Sequence, residues 1–234
     1  MQILPNVYLA NGFPYSQHQN SYIVKTAGAT VMIDSGDLGT DTFEIVRQNC
    51  SIWGIDLADI SHLLLTHAHH DHSSHAARLQ RMGLKIVASA DCADAIAAGD
   101  DRCVAYALGR PDAFETCKAD QIVADGDELE IGELKVRCIA APGHANSCMI
   151  YEIVLDRRRL WFVGDVVLIC PECFTVELGW AGGPDYDRTT YLETLRKLCH
   201  MDCDCLFSGH GDPCIGGGRR LLGMAYTKAM LEWR

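Results

Sequence analysis

No apolar run in this 234-residue chain approaches the ~18–20 residues needed to cross a bilayer, so a membrane is not an expected partner. The N-terminus, Met1-Gln2-Ile3-Leu4-Pro5-Asn6, lacks a basic stretch followed by a long apolar one and does not resemble a signal peptide. Positive charge is scarce: 20 Lys and Arg stand against 31 Asp and Glu, a net charge of −11. An acidic chain repels a polyphosphate backbone, which makes nucleic acid a poor partner. The one basic run, Arg157-Arg158-Arg159, sits between two strand-like segments and is expected to be a solvated hairpin turn. Low-complexity linkers and solenoid-type repeats are also missing.

What is present fits a globular chain. Apolar residues make up 48 %, an ordinary share. The 12 cysteines would suit disulfides in a short secreted protein; without a leader, the expectation is reduced thiols and a cytoplasmic location. Residues 1–234 are expected to form one domain. Short strands are expected at Val7–Ala10, Ser21–Lys25, Thr30–Ile33, Ser61–Leu65 and Lys85–Ala88. Helical spacing covers Thr40–Cys50, after a Thr40 or Asp41 cap, and also Ser73–Met82 and Asp91–Ala98. After a looser stretch, strands are expected at Glu128–Ile131, Leu134–Ile139, Cys148–Val154, Leu160–Val163 and Cys205–Ser208, with helices at Asp187–Leu198 and Arg219–Trp233. This order suggests two similar α/β halves facing each other, their sheets covered by helices.

Thr66-His67-Ala68-His69-His70-Asp71-His72 follows the apolar Leu63-Leu64-Leu65 and contains His-x-His-x-Asp-His. So many metal-ligand side chains in so few residues are not explained by packing, because neutral imidazole binds zinc or iron well and a carboxylate adds charge and basicity. On an extended segment His67, His69 and Asp71 would share a side, with His72 turning onto the next element. Three later residues, His144 in Pro142-Gly143-His144, Asp165 in Val163-Gly164-Asp165 and His210 in Ser208-Gly209-His210-Gly211, each follow a glycine near a strand end. Such junctions are where α/β scaffolds present functional groups. His62, His70 and His75 fall outside the pattern, and His75 is expected to be exposed or hydrogen-bonded.

On these motifs, in this order from Asp34 to His210, the chain resembles the metallo-β-lactamase-fold hydrolases, the superfamily that includes glyoxalase II, lactonases and tRNase Z. The resemblance implies an α/β fold of αββα type, two mixed β-sheets flanked by helices with metals at one end. It implies that His67, His69 and His144 hold one metal, that Asp71, His72 and His210 hold a second, and that Asp165 bridges them. Asp34, in Ile33-Asp34-Ser35-Gly36, matches the family aspartate that hydrogen-bonds the histidine loop from below. The implied cofactors are two divalent ions per chain, zinc first, with iron or manganese as alternatives. Two such cations ~3.5 Å apart lower the pKa of a shared water and polarise the substrate oxygen, with Asp71 as the catalytic carboxylate that orients the nucleophile or passes a proton.

The implied activity is hydrolysis of a small ester, thioester or lactone, with a small molecule as the partner. An iron sulfur dioxygenase-like oxidoreductase on the same fold is an alternative, and a phosphodiesterase is opposed by the charge. Departures from the family narrow the choice. Leu168 stands where lactonases often carry tyrosine, and Asp165 argues against β-lactams because lactamases of the family lack that aspartate. The chain ends 24 residues after His210, too soon for the glutathione-gripping domain of full-length glyoxalase II. Ala145-Asn146-Ser147 replaces the usual Thr-Pro-Gly after His144. Cys170-Pro171-Glu172-Cys173 is a weak redox or metal signal, with Cys199, Cys203, Cys205 or Cys214 as further partners. Phe174, Trp180 and Tyr186 are candidates for an apolar wall or lid. A homodimer is compatible with an acidic domain of this size, and no motif specifies it.

Overall fold

A computed structural model of the chain describes residues 1–12, 18–40, 42–109, 113–170 and 175–233. Asp41, the alternative cap of the first expected helix, and Cys173 and Phe174 of the cysteine-bearing loop lie outside the described residues.

Alternation of side chains along each strand builds the layers. The first sheet runs in the order β1 (Gln2–Leu4), β2 (Val7–Asn11), β3 (Ser21–Lys25), β4 (Thr30–Ile33), β5 (His62–Leu64), β6 (Lys85–Ser89) and β7 (Gln121–Val123). It is antiparallel up to β4 and parallel from β4 to β7. The second sheet has the order β14-β11-β10-β9-β8 and contains β8 (Glu128–Ile131), β9 (Leu134–Ala140), β10 (Met149–Leu155) and β11 (Arg158–Gly164). A ribbon of β12 (Leu168–Ile169) and β13 (Val176–Glu177) precedes its last member, β14 (Cys205–Ser208), which runs parallel to β11.

The inward residues Tyr22, Val24, Val31, Ile33, Tyr151, Ile153, Leu160, Phe162 and Phe207 form the core between the sheets. Their neighbours along the chain, Ile23, Met32, Ile150, Trp161 and Leu206, face outward and are buried too, under helices. On the first sheet the cover is α1 (Thr42–Trp53), with α2 (His70–Ser73) at one end, then α3 (Ala76–Arg81) and α4 (Ala90–Ala98); on the second it is α5 (Arg188–Leu198) and α6 (Gly218–Glu232). The result is the expected four-layer αββα arrangement. Among the described residues no helix is long and apolar enough to cross a membrane.

Three local expectations are refined. The helix expected at Ser73–Met82 starts later, as α3 at Ala76, and Ser73 instead ends α2, because the backbone N–H of His75 donates to Ser35 Oγ at 3.1 Å and the Oγ of Ser73 and Ser74 turn back to the carbonyls of Ala68, His69 and His70. Serine hydroxyls compete in this way with regular helix bonding. Of the two states expected for His75, exposed or hydrogen-bonded, the structure shows a buried residue, edge-on to Phe43, whose backbone N–H is hydrogen-bonded. The looser stretch after residue 100 contains two 3-10 turns, Asp101–Cys103 and Ala105–Leu108. The arginine run does mark a hairpin, with Asp156 and Arg157 at φ +50° and +63° as a tight turn between β10 and β11 requires.

Two buried tyrosines cross the core in opposite directions. Tyr22 of the first sheet donates its hydroxyl to the Ser208 carbonyl on β14 at 2.7 Å. Tyr151 of the second sheet donates to the Leu65 carbonyl just beyond β5 at 3.0 Å. Each bond fixes the end of a strand in the facing sheet. Removing the Tyr151 hydroxyl takes this donor from the Leu65 carbonyl at a cost of about 1–3 kcal/mol, whereas the Ser208 carbonyl keeps a second donor, Asn20 Nδ2 at 3.0 Å. We therefore expect Tyr151→Phe to lower unfolding stability by about 1–3 kcal/mol and Tyr22→Phe by less, measured by urea denaturation, with the m-value unchanged.

Candidate metal centre

The C-terminal ends of β5, β9, β11 and β14 lie at one edge of the sandwich, and the loops leaving them meet. The chain after β5 stays extended through His67 and His69, and α2 begins at His70. The expected sharing of one side therefore applies to His67 and His69, whereas Asp71 and His72 both arrive from α2. All seven sequence-selected side chains converge. His67, His69 and His144 present ligand atoms within 4.8 Å of one another, as do His67, His72 and Asp165, and Asp71, His72 and His210. Asp165 stands between the sets: its Oδ1 is 3.3 Å from His72 Nε2, and its Oδ2 is 3.3 Å from His210 Nε2 and 3.7 Å from His144 Nε2. Asp71 Oδ2 is 3.3 Å from His210 Nε2.

The outward ring nitrogens are already committed. His72 Nδ1 lies 2.9 Å from Asp34 Oδ2, His144 Nδ1 3.0 Å from the Trp180 carbonyl and His210 Nδ1 2.7 Å from the His18 carbonyl. These acceptors require Nδ1–H, which leaves Nε2 facing the cluster. His67 Nδ1 donates to Thr66 Oγ1 at 3.0 Å, and that hydroxyl donates to Asp34 Oδ2 at 2.7 Å. His69 differs: its Nδ1 faces His144 Nε2 at 3.1 Å. The approach is tight. Gly164, at φ +51°, leaves no room for a Cβ, which would fall 2.5 Å from Thr66 Oγ1.

Burial of these groups sets the electrostatics. Burial holds His67 well below the usual imidazole range, pushes His69 down to about 3 and lowers His144, so these three are neutral with free lone pairs. Burial also opposes protonation of His72 and His210, but nearby carboxylates outweigh it. Asp165, Asp71 and Asp34 raise His72 well above its usual range, and Asp165 and Asp71 raise His210 to about 10. In return, against the cost of burial, His72 and His210 hold the carboxyls of Asp71 and Asp165 below the usual range. The buried atoms His67 Nε2, His72 Nε2 and Asp165 Oδ1 have no hydrogen-bond partner within the protein. Imidazole nitrogens and carboxylate oxygens converging in this way fit divalent cations.

The cluster opens on a cavity of about 310 Å³. His69, Asp71, His144, Asp165 and His210 form one part of its lining, and His70, Val104, Ala107 and Trp180 the rest. A larger groove of about 660 Å³ along α6 holds none of the seven. Thr66 and the carbonyls of His18 and Trp180 were not anticipated. Thr66 directly precedes His67 and was within reach of sequence reasoning, whereas main-chain carbonyls carry no sequence signal. His70 Nδ1 lies 3.3 Å from Asp37 Oδ1. Among the described residues no ligand cluster of this kind includes a cysteine.

Asp34 ties the most groups together, since it also accepts from Thr66 N at 2.8 Å. For Asp34→Ala we expect metal affinity to fall by about 10–100-fold, read by chelator competition, because ligand-orienting carboxylates act on that scale. A drop in stability of about 1–3 kcal/mol should accompany it, from the donors left unpaired.

Comparison with known proteins extends the likeness. Thioesterase pkgB of Emericella nidulans is 27 % identical over 199 residues, covering 85 % of this chain and 47 % of that protein. Atrochrysone carboxyl ACP thioesterase of the same organism is 27 % identical over 214 residues, covering 90 % and 57 %. The chain thus spans about half the length of the curated relatives it matches. The Cronobacter sakazakii metallo-beta-lactamase with a HARLDQ motif superposes with a TM-score of 0.79 at 19 % identity, covering 100 % of this chain and 92 % of that one, a likeness of fold. The pattern described as the Metallo-beta-lactamase superfamily matches residues 16–210, a span that takes in every side chain of the cluster. The chain therefore belongs to the metallo-beta-lactamase superfamily.

Proposed function

We propose that this chain is a metal-dependent hydrolase of a thioester. The observation that carries the reading is Asp165, set between a neutral His67–His69–His144 group and a charged Asp71–His72–His210 group. Thioester is favoured over ester or lactone by relatives named as thioesterases. Two divalent cations, zinc foremost, fit the two groups, with His67, His69 and His144 as ligands of one, Asp71, His72 and His210 of the other, and Asp165 between them. When bound, they would polarise the thioester carbonyl and supply a hydroxide nucleophile near neutral pH.

The protein's own residues do the rest. Asp34 through Thr66, the Trp180 carbonyl and the His18 carbonyl lock the imidazoles of His67, His72, His144 and His210, so the site needs little reorganisation during reaction. Asp71 is the one carboxylate of the cluster with a quarter of its side chain exposed, and it lines the cavity. Ionised, it accepts the proton of the attacking water. Oxygen adds to the carbonyl carbon, the C–S bond breaks, and the departing thiolate takes up a proton to leave a carboxylate and a thiol.

Two outcomes test this. Asp71→Asn keeps the shape and loses the basic oxygen, so kcat for a simple acyl thioester should fall by about 100-fold or more, given the usual weight of general-base catalysis. Wild-type turnover would remove Asp71 from the mechanism. The second concerns protons. His67, His69 and His144 bind a cation without deprotonation, whereas His72 and His210, raised in pKa, must each lose one. At pH 7 the first zinc equivalent added to metal-free protein should release almost no protons from the histidines and the second about two, with about one more from ionisation of a bound water. Release at the second step should shrink as pH rises past about 10, and acid should weaken that step first. Calorimetry in buffers of different ionisation enthalpy measures both.

A further inference from the structure

We propose that Trp180 determines substrate specificity: its indole is a platform for a flat, apolar acyl group on the thioester. This deepens the thioester reading and rests on it.

Tryptophan is seldom left open to solvent, because covering its faces is worth more than for almost any other side chain. Trp161 is fully buried, whereas Trp180 is 54 % exposed and lines the cavity that holds His69, His144 and Asp165. Its placement is fixed from two directions. The Trp180 carbonyl accepts from His144 Nδ1 at 3.0 Å, so its main chain is anchored to a side chain of the metal cluster. The ring lies over Gly182, where a Cβ would fall 1.9 Å from Cζ2 and 2.3 Å from Cε2. Glycine at 182 thus lets the indole rest directly on the backbone of its own loop.

The neighbouring wall has the same character. Val104 and Ala107 add apolar surface, and Val104 is held at φ +54°, a left-handed conformation that β-branched residues rarely adopt. Among the described residues lining this cavity there is no lysine or arginine. On the wall made by Val104, Ala107 and Trp180 an anionic acyl group would find no basic side chain, and an amide-bearing thiol arm would find few hydrogen-bonding groups. A planar apolar acyl group would cover the indole, and such ring contacts discriminate by roughly 10-fold.

The experiment compares S-(2-naphthoyl)- and S-acetyl-N-acetylcysteamine, which share one thiol, on zinc-loaded protein. Wild type should favour the naphthoyl ester in kcat/KM. Trp180→Ala should lower kcat/KM for the naphthoyl ester about 10-fold more than for the acetyl ester, through KM. Zinc content should be unchanged, since the carbonyl at 180 remains. Gly182→Ala keeps the indole and displaces it, so it should reproduce the selective loss, and Trp180→Phe should recover part of it. An equal loss on both esters, or no naphthoyl preference in wild type, overturns the proposal. If wild type cleaves neither ester, the thioester reading fails, and binding decides the role of Trp180 on its own. Calorimetry should then show 2-naphthoate binding about 10-fold more weakly to Trp180→Ala than to wild type, with acetate unaffected; equal 2-naphthoate binding overturns the proposal.

Discussion

The carboxylate of Asp34, 2 % exposed beside the end of β4, receives Thr66 N at 2.8 Å, Thr66 Oγ1 at 2.7 Å and His72 Nδ1 at 2.9 Å. A buried carboxylate is costly unless it is fully hydrogen-bonded, and these three donors satisfy it. They also transmit its position. Through the Thr66 hydroxyl the same oxygen that orients His72 orients His67, so one side chain sets the direction of two imidazoles. The arrangement depends on parallel pairing of β4 with β5, with Ile33 opposite Leu64, which brings Asp34 level with the chain leaving β5. Asp34 itself sits at φ +56°, in a region that aspartate tolerates better than most residues.

Two more loops need comparable anchoring and the His67 loop receives a second hold, and the protein supplies all three through tyrosines. Tyr22 grips the Ser208 carbonyl two residues before His210, and Tyr151 grips the Leu65 carbonyl two residues before His67. Tyr191 on α5 donates to the Val166 carbonyl at 2.6 Å, next to Asp165, and accepts from Gly179 N at 2.9 Å. Each ring contributes apolar area to a core layer while its hydroxyl reaches the polar end of the sandwich. Apolar packing alone would leave these strand ends free to shift along the strand axis. A directional bond to one carbonyl removes that freedom where a shift of an ångström matters.

The sequence made the ligands legible because their chemistry is local: histidines, aspartates and preceding glycines are visible residue by residue. The long strands and helices were legible too, since alternation and helical spacing extend over enough residues to average out noise. What escaped depends on long-range partners. Strands β1, β7 and the β12–β13 ribbon have two or three residues each, too few for a period to appear. The break between α2 and α3 within the expected Ser73–Met82 helix turns on Ser35, 40 residues before His75 in the chain. The orienting carbonyls of His18 and Trp180 lie 192 and 36 residues from the imidazoles they hold, and any residue type could have supplied them.

Rigidity and openness are divided between two walls of one cavity. On the cluster side the outward ring nitrogens of His67, His72, His144 and His210 are hydrogen-bonded, His67, His72 and His144 are fully buried, and cramped glycines leave little room for change without moving a ligand. On the other side Val104, Ala107 and Trp180 line the same space. Substitutions of side chains there leave the ligand side chains of the cluster in place. Trp180 is the exception that joins the walls: its carbonyl belongs to the cluster and its ring to the opening. Because the carbonyl is common to all residues, the ring can vary while His144 keeps its orientation. This separation lets one metal-binding scaffold accept different acyl groups by changing side chains in short loops.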